Sequence, residues 1–346
     1  MKISINEVKE LSRSIFIKAG LDAADADIIT DVLLETEMRG VFTHGFLRLE
    51  WYIDCILSGG IHTDGEINTV YDSPSWASVD GKDNLGIVVS YKAMKLAMEK
   101  ARQTGVGIVN VCGSHHFGAA GYYTSMCADN GMVGMSMSNG DVLIAATGSR
   151  VRTIGNNPFS YAFPAGKYGK IVYDIAMSHT SDRKVVQFAK EGKSLPEGWI
   201  IDKDGRPTTD PLDYEKGGTL MPFGGYKGYG LAMMVETLAA TLSGAAMTTN
   251  VHAWNKNPAE GGNVGHFFMA LDVSRLGYPD GYRARVDGMI DEIKGSEKAV
   301  GVSEIYYPGE IEAAKMQKCL SEGFVEIADE TIASMHNAAK KVGLNI

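Results

Sequence analysis

A mixed α/β fold with a helical unit built from both chain ends is what this sequence predicts, on three observations. Between about residue 75 and residue 177, short β-branched runs alternate with helical stretches, the pattern of a sheet covered by helices. The first forty residues, and the segment after about residue 310, are helical in pattern. The 41 glycines are a surplus spread over loops between apolar runs, as expected where loops approach a ligand closely. The division that follows is a helical domain of residues 1–72 with 305–346, around an α/β domain of residues 73–304.

Each element has its own warrant. Val8, Leu11 and Ile15 fall on one face of a first helix. Asp22 can cap a second, which carries Ile28, Ile29, Val32 and Leu33 and stops at Gly40. In "FTHGFLRLEWYIDCILSGG", His44, Arg48 and Tyr52 are spaced by one turn each, so a helix would put them on a shared face. Leu47, Ile53 and Ile56 would line much of its other side. "SWASVDG" and "LGIVVS" bring β-branched residues and turns, "YKAMKLAMEKARQTG" is a helix ended by Gly105, and "VGIVNV" is a short buried strand. Next come "GSHHFGAAGYYTS" (113–125), an amphipathic helix to Gly131, the strand "MVGMSMS" and the strand "IVYDIAM" at 171–177. "KGYGLAMMVETLAATLSGAAM" reads as a long apolar helix buried against a sheet.

Composition excludes several classes. The formal net charge is −9 with no basic stripe, so nucleic acid is not the expected partner. No apolar run approaches the roughly 18 residues needed to cross a bilayer. The first residues lack an apolar core followed by small residues, so no secretory signal is read there. Cys55, Cys112, Cys127 and Cys319 lie far apart without a C-x-x-C pair, which indicates neither a zinc site nor a disulfide framework. A reduced cytoplasm is the simplest home.

The candidate chemistry starts at "GSHHFGAAGYYTS". Two histidines, His115 and His116, stand among small residues where a packed core would want bulk, so the stretch reads as the lining of a cleft. Neighbouring side chains diverge on any regular backbone, so one ring faces the cleft and the other packs or hydrogen-bonds. His44 has Arg48 one turn away, and a guanidinium fork beside a near-neutral imidazole suits a carboxylic acid whose hydroxyl must lose a proton. His62, His179, His252, His266 and His336 have no such company and read as loop or surface residues. No H-E-x-x-H motif occurs, and no metal is expected. Both the P-loop and the G-x-G-x-x-G fingerprints are absent. "GGYKGYG" (224–230) opens the apolar helix and could meet an anion through backbone N–H groups and Lys227. Asp174, inside an apolar strand, needs a partner, and a histidine oriented as in a triad is one.

Taken in order, eight segments resemble the malate/L-lactate dehydrogenase-like oxidoreductases, nicotinamide enzymes unrelated to the Rossmann type. They are "THGFLRL", "SHHFGAAGYY", "GNNPFSYAFPA", "IVYDIAMS", "LPEGWIIDKDGRPTTDP", "GGYKGYGLAMMVETLAATLSGA", "GHFFMALDV" and "YYPGE", which span nearly the whole chain. The resemblance implies a distinct non-Rossmann α/β cofactor domain, a helical domain from both ends, and a homodimer with the cleft near its interface. It implies hydride transfer between NAD(P)H and C2 of a small 2-oxo or 2-hydroxy acid of malate or lactate type. Ureidoglycolate, sulfolactate or a sugar acid is the alternative substrate. His116 and His44 match the acid/base positions, with His116 favoured. Arg48 matches the carboxylate anchor, and Tyr52 and Thr43 the substrate side. Asn139, Gly140, Asp174, Ser178, Lys227, Pro308, Gly309 and Glu310 match cofactor contacts. Departures at Thr43, Gly140, Asn156 and "HTSDRK" fall mostly on the cofactor side, so NAD is expected with NADP open. A pyridoxal-phosphate enzyme using Lys227 as its Schiff base, or a sensor that binds the cofactor without turnover, are the readings from other classes.

Overall fold

The computed structural model describes residues 1–253, 256–275 and 277–345. The chain opens with β1 (Lys2–Ser4) and three helices, α1 (Ile5–Lys18), α2 (Ala23–Met38) and α3 (Leu49–Ser58). Asp22 caps α2 by accepting the Asp25 N–H at 2.8 Å, and Gly40 follows with φ +79°. The helix expected to carry His44, Arg48 and Tyr52 does not run that far. Phe42–His44 and Phe46–Arg48 are two separate 3₁₀ turns, and α3 begins only at Leu49. The cause is local, because the buried Glu37 carboxylate accepts the Phe46 N–H at 3.1 Å and holds the chain at Gly45.

β2 (Asn68–Asp72) and β3 (Trp76–Asp80) lead into α4 (Gly86–Thr104), β4 (Val106–Ser114) and α5 (Ala120–Asp129). "LGIVVS" therefore starts a helix. Gly86 explains part of it, since a Cβ there would run into the carbonyls of His115 and His116. The chain continues through β5 (Met132–Ser138), β6 (Val142–Ala145), β7 (Arg152–Gly155), β8 (Phe159–Pro164), β9 (Lys170–Ile175) and α6 (Asp182–Lys190). β10 (Ile200–Ile201), β11 (Pro207–Thr208), α7 (Leu212–Glu215) and β12 (Thr219–Leu220) are short. α8 (Tyr226–Glu236), β13 (Val264–Asp272), α9 (Tyr282–Lys294), α10 (Glu310–Glu322), β14 (Phe324–Glu326) and α11 (Asp329–Lys341) complete it.

The main sheet has seven strands in the order β2-β3-β4-β13-β5-β8-β9, and a second has five, β11-β10-β12-β6-β7. Among the described residues, only β3 and β4 are parallel neighbours in the larger sheet. That is not the doubly wound parallel sheet of a Rossmann domain, in keeping with the missing fingerprint. β1 pairs with β14, tying the two chain ends together. One apolar core joins Val8, Ile29, Leu33 and Ile53 to Val325, Met335 and Ala338, so the helical unit draws on both ends. A second core, with Val109, Val111, Phe117, Tyr123 and Phe268, lies under the sheet. α8 is only half buried. Ala232, Val235 and the following Ala239 face inward, whereas Tyr226, Leu231 and Met233 are exposed. Among the described residues no helix is long and apolar enough to cross a membrane.

Candidate active site

A cleft of about 860 Å³ brings together Thr43, His44, Arg48 and Trp51 with the β4–α5 loop, the end of β9 and the Tyr306–Gly309 turn. β4 delivers the histidine pair. His115 is fully buried, while His116 lines the cleft. Tyr52, on α3, lies behind His116 with its hydroxyl 2.6 Å from Nδ1, and is itself fully buried. Tyr52 therefore does not stand on the substrate side of the cleft, as the sequence suggested. It reaches the cleft through His116.

His44 stacks on His116 with ring centroids 5.6 Å apart and planes 21° apart. Thr43 Oγ1 lies 3.0 Å from His44 Nδ1, and its carbonyl accepts Arg48 Nε at 2.6 Å. The guanidinium also lies over Trp51, 4.6 Å from the ring centre. Two turns too short to form a helix thus aim an imidazole and a guanidinium into one space.

The electrostatics follow from crowding. Burial, then the charges of Arg48 and Arg183, push His44 down to about 3. Burial, then His44 and Arg48, hold His116 well below the usual imidazole range. Burial and the neighbouring Arg183 charge lower Arg48 to about 10, so it stays cationic near neutrality. Burial pushes the Tyr52 phenol far up, which keeps it protonated.

At the other end of the cleft Asp174 accepts the Gly121 N–H at 2.6 Å, at the start of α5. It contacts no histidine among the described residues, and the triad-like pairing does not form. Asp174 is reached by solvent where it lines the cleft. The protein around it still pushes its carboxyl up to about 6 by desolvation, against the pull of the Gly121 N–H and Arg39. Asn139, Gly140, Pro308 and Gly309 line the same cleft. Gly309 has φ +88°, and a Cβ on it would sit 2.7 Å from the Val172 carbonyl, so this turn requires glycine.

Three residues expected at the cofactor do not line this cleft. Ser178 is buried and donates to the Thr180 carbonyl at 2.6 Å. Glu310 turns to Lys294 at 2.6 Å and to the Tyr307 N–H. Lys227 is exposed on the first turn of α8 and outside the cleft lining. That removes the buried site a Schiff-base lysine would need. His266, read as a surface residue, is a core histidine bridging Ser138 and Ser114 at 2.9 and 2.8 Å and stacked on Phe117. The sequence reading missed Trp51, Asp141, Arg152, Arg183 and His252, all in the cleft wall. Only Arg183 had a signal, because it sits in the "HTSDRK" run that departs from the family pattern. Among the described residues no group of three or more His, Cys, Asp or Glu side chains is placed to hold a metal ion.

The cleft is the size of a ligand pocket at the large end of the range. Among the described residues nothing lies within 4 Å of where a Cβ on Gly140 would stand, so a planar ring or a ribose fits there against bare backbone.

The family model for malate/L-lactate dehydrogenase matches residues 3–336. The L-sulfolactate dehydrogenase of Methanothermobacter thermautotrophicus is 36% identical over 346 residues, covering 100% of this chain and 98% of its own. The malate dehydrogenase of Pyrococcus horikoshii is 38% identical over 338 residues, covering 95% and 92%. The solved structure of sulfolactate dehydrogenase from Methanocaldococcus jannaschii superposes with a TM-score of 0.93 at 35% identity, covering 100% of this chain and 98% of that one. With a His–Arg cleft on this fold, the chain belongs to the malate/L-lactate dehydrogenase family and is an NAD(P)-linked oxidoreductase acting on the CH–OH group of a 2-hydroxy acid.

Proposed function

We propose that Arg48 anchors the C1 carboxylate of a short 2-oxo or 2-hydroxy acid and that His116 moves the proton at its C2 oxygen. The observation that carries this reading is the Tyr52–His116 hydrogen bond of 2.6 Å beside Arg48. Tyr52 occupies Nδ1, so Nε2, at the opposite edge of the ring, is the nitrogen that meets the substrate oxygen. In oxidation Nε2 takes the hydroxyl proton, and the resulting imidazolium keeps its Nδ1–H on the Tyr52 oxygen. In reduction the same nitrogen returns the proton. His44, stacked on His116, hydrogen-bonds the substrate or tunes its neighbour. Bound nicotinamide supplies or accepts the hydride at C2. Asp174, Asn139, Gly140, Pro308 and Gly309 are the residues that would hold the cofactor, with NAD expected and NADP open. Proton transfer by a positioned imidazole contributes roughly 10²–10⁴-fold.

The exposed apolar side of α8, with Tyr226, Leu231 and Met233, supports a homodimer, and sedimentation of the purified protein checks it. The function itself is tested by a panel of 2-oxo acids with NADH and NADPH, read at the reduced-nicotinamide absorbance. His116→Ala should abolish turnover while cofactor still binds. Full activity in that variant, with His44→Ala inactive, would transfer the acid/base role to His44.

A further inference from the structure

We propose that the cleft selects 2-oxo acids bearing a second, distal anionic group, a carboxylate or sulfonate, and that Arg183 reads it. The proposal rests on Arg48 as the anchor of the first carboxylate. Arg183 lies in the first turn of α6, so a helix and not a mobile loop presents it. The Ser181 side chain caps that helix, and Val185 is fully buried beneath it. The Arg183 guanidinium lies 5.0 Å from the Trp51 ring centre, and that of Arg48 lies 4.6 Å from the same centre. The two charged carbons are thus no further apart than about 10 Å, the sum of those distances.

Both arginines line the cleft that holds His44 and His116. Elsewhere Arg13, Arg39 and Arg206 rest on carboxylates. Arg183 has no carboxylate within ion-pair distance among the described residues. Two carboxyl groups share its wall, Asp141 and Asp182. Neither is within ion-pair distance of the Arg183 guanidinium, and the Asp182 carboxylate accepts the Arg183 backbone N–H at 2.8 Å. Two guanidinium groups that share one aromatic ring repel each other and are relieved by an anion at each. A four-carbon dicarboxylate, or its sulfonate analogue, carries two such groups on one short chain.

The test measures initial rates for wild type, Arg183→Ala and Arg183→Lys. Oxaloacetate and sulfopyruvate are the dianions, and pyruvate and 2-oxobutyrate the monoanions. Wild type should favour the dianions. Arg183→Ala should lose about 10- to 100-fold in kcat/KM on them, the worth of a charged hydrogen bond, and less than about threefold on the monoanions. Arg183→Lys should recover part of the loss as a point charge. Equal losses on both classes would overturn the proposal. So would an effect confined to the KM of NADH or NADPH, which would assign Arg183 to a cofactor phosphate. Arg48→Met separates the underlying reading. If that variant keeps its rate on every acid, the anchor is wrong, whatever Arg183 does.

Discussion

Replacing Tyr52 with phenylalanine isolates the bond on which the proposed proton transfer depends. The ring is fully buried and phenylalanine fills the same space, so packing is kept and one hydroxyl is lost. That hydroxyl lies 2.6 Å from His116 Nδ1. It accepts the Nδ1–H in both states, a bond worth about 1 kcal/mol from the neutral ring and roughly 1.5–3 kcal/mol from the imidazolium. The difference favours the charged ring by about 1–2 kcal/mol, or about 5- to 30-fold in rate when His116 carries the proton. The assay is steady-state kcat in both directions at saturating cofactor, with the thermal midpoint as a control. A drop of that size in kcat, with the KM of the acid little changed, is the expected result. A kcat within twofold of wild type would refute the assignment. A loss confined to KM would return Tyr52 to the substrate.

Other perturbations test the supporting parts. Burial pushes Glu37 up to about 7, with the Phe46 N–H pulling the other way. The folded state therefore holds this proton when the unfolded state has released it, and stability falls as pH rises from about 4.5 to 7. Glu37→Gln keeps an acceptor for Phe46, so it should raise the melting temperature at pH 8 and leave it unchanged at pH 4. The charge it removes costs at most about 3 kcal/mol. Gly45→Ala should cut kcat/KM at least about tenfold and lower the melting temperature, because its Cβ would collide with the Glu37 carboxylate under the His44–Arg48 turns. Asp174→Ala should weaken NADH binding about tenfold in a fluorescence titration without any acid present, and leave oxo-acid selectivity alone.

How far the sequence disclosed this site can be judged residue by residue. Helical periodicity linked His44, Arg48 and Tyr52, and the structure gathers all three around one ring, yet by a different geometry. Periodicity assumes one continuous helix. The Glu37 side chain, nine residues from Phe46 in sequence, breaks that helix into turns. A side chain that captures a backbone N–H leaves no trace in hydrophobic spacing. The Tyr52–His116 bond spans 64 positions and depends on how α3 packs against the end of β4. Lys227 lies outside the cleft lining for the opposite reason. A glycine-rich helix start has the composition of an anion site, but composition does not say which way the helix faces. His266 shows the same limit, since two serines on different strands satisfy it only once the sheet has formed. The alternation of strands and helices and the pairing of the chain ends were legible because they follow from local pattern and summed apolar surface.

The charge arrangement around Arg48 makes substrate binding and proton affinity one event. The guanidinium helps to hold both rings below their ordinary range, after burial for His44 and after burial and His44 for His116. A unit charge about 6 Å away, at an effective dielectric constant of about 20, is worth about 3 kcal/mol, or roughly two pKa units. A carboxylate seated on Arg48 cancels much of that field, so both rings gain proton affinity when the acid arrives. The sign is fixed, because a pKa that rises on binding means protons are taken up, increasingly so as the pH falls from 8 toward 5. Calorimetric titration with malonate, a dicarboxylate that cannot be reduced, measures this directly in buffers of different ionisation enthalpy. The expected outcome is an apparent enthalpy that varies with the buffer at pH 5.5, and a variation reduced in His116→Ala. An enthalpy identical in every buffer across that range would mean that the guanidinium and the rings are uncoupled. The carboxylate anchor could then not be what readies His116 to deliver its proton.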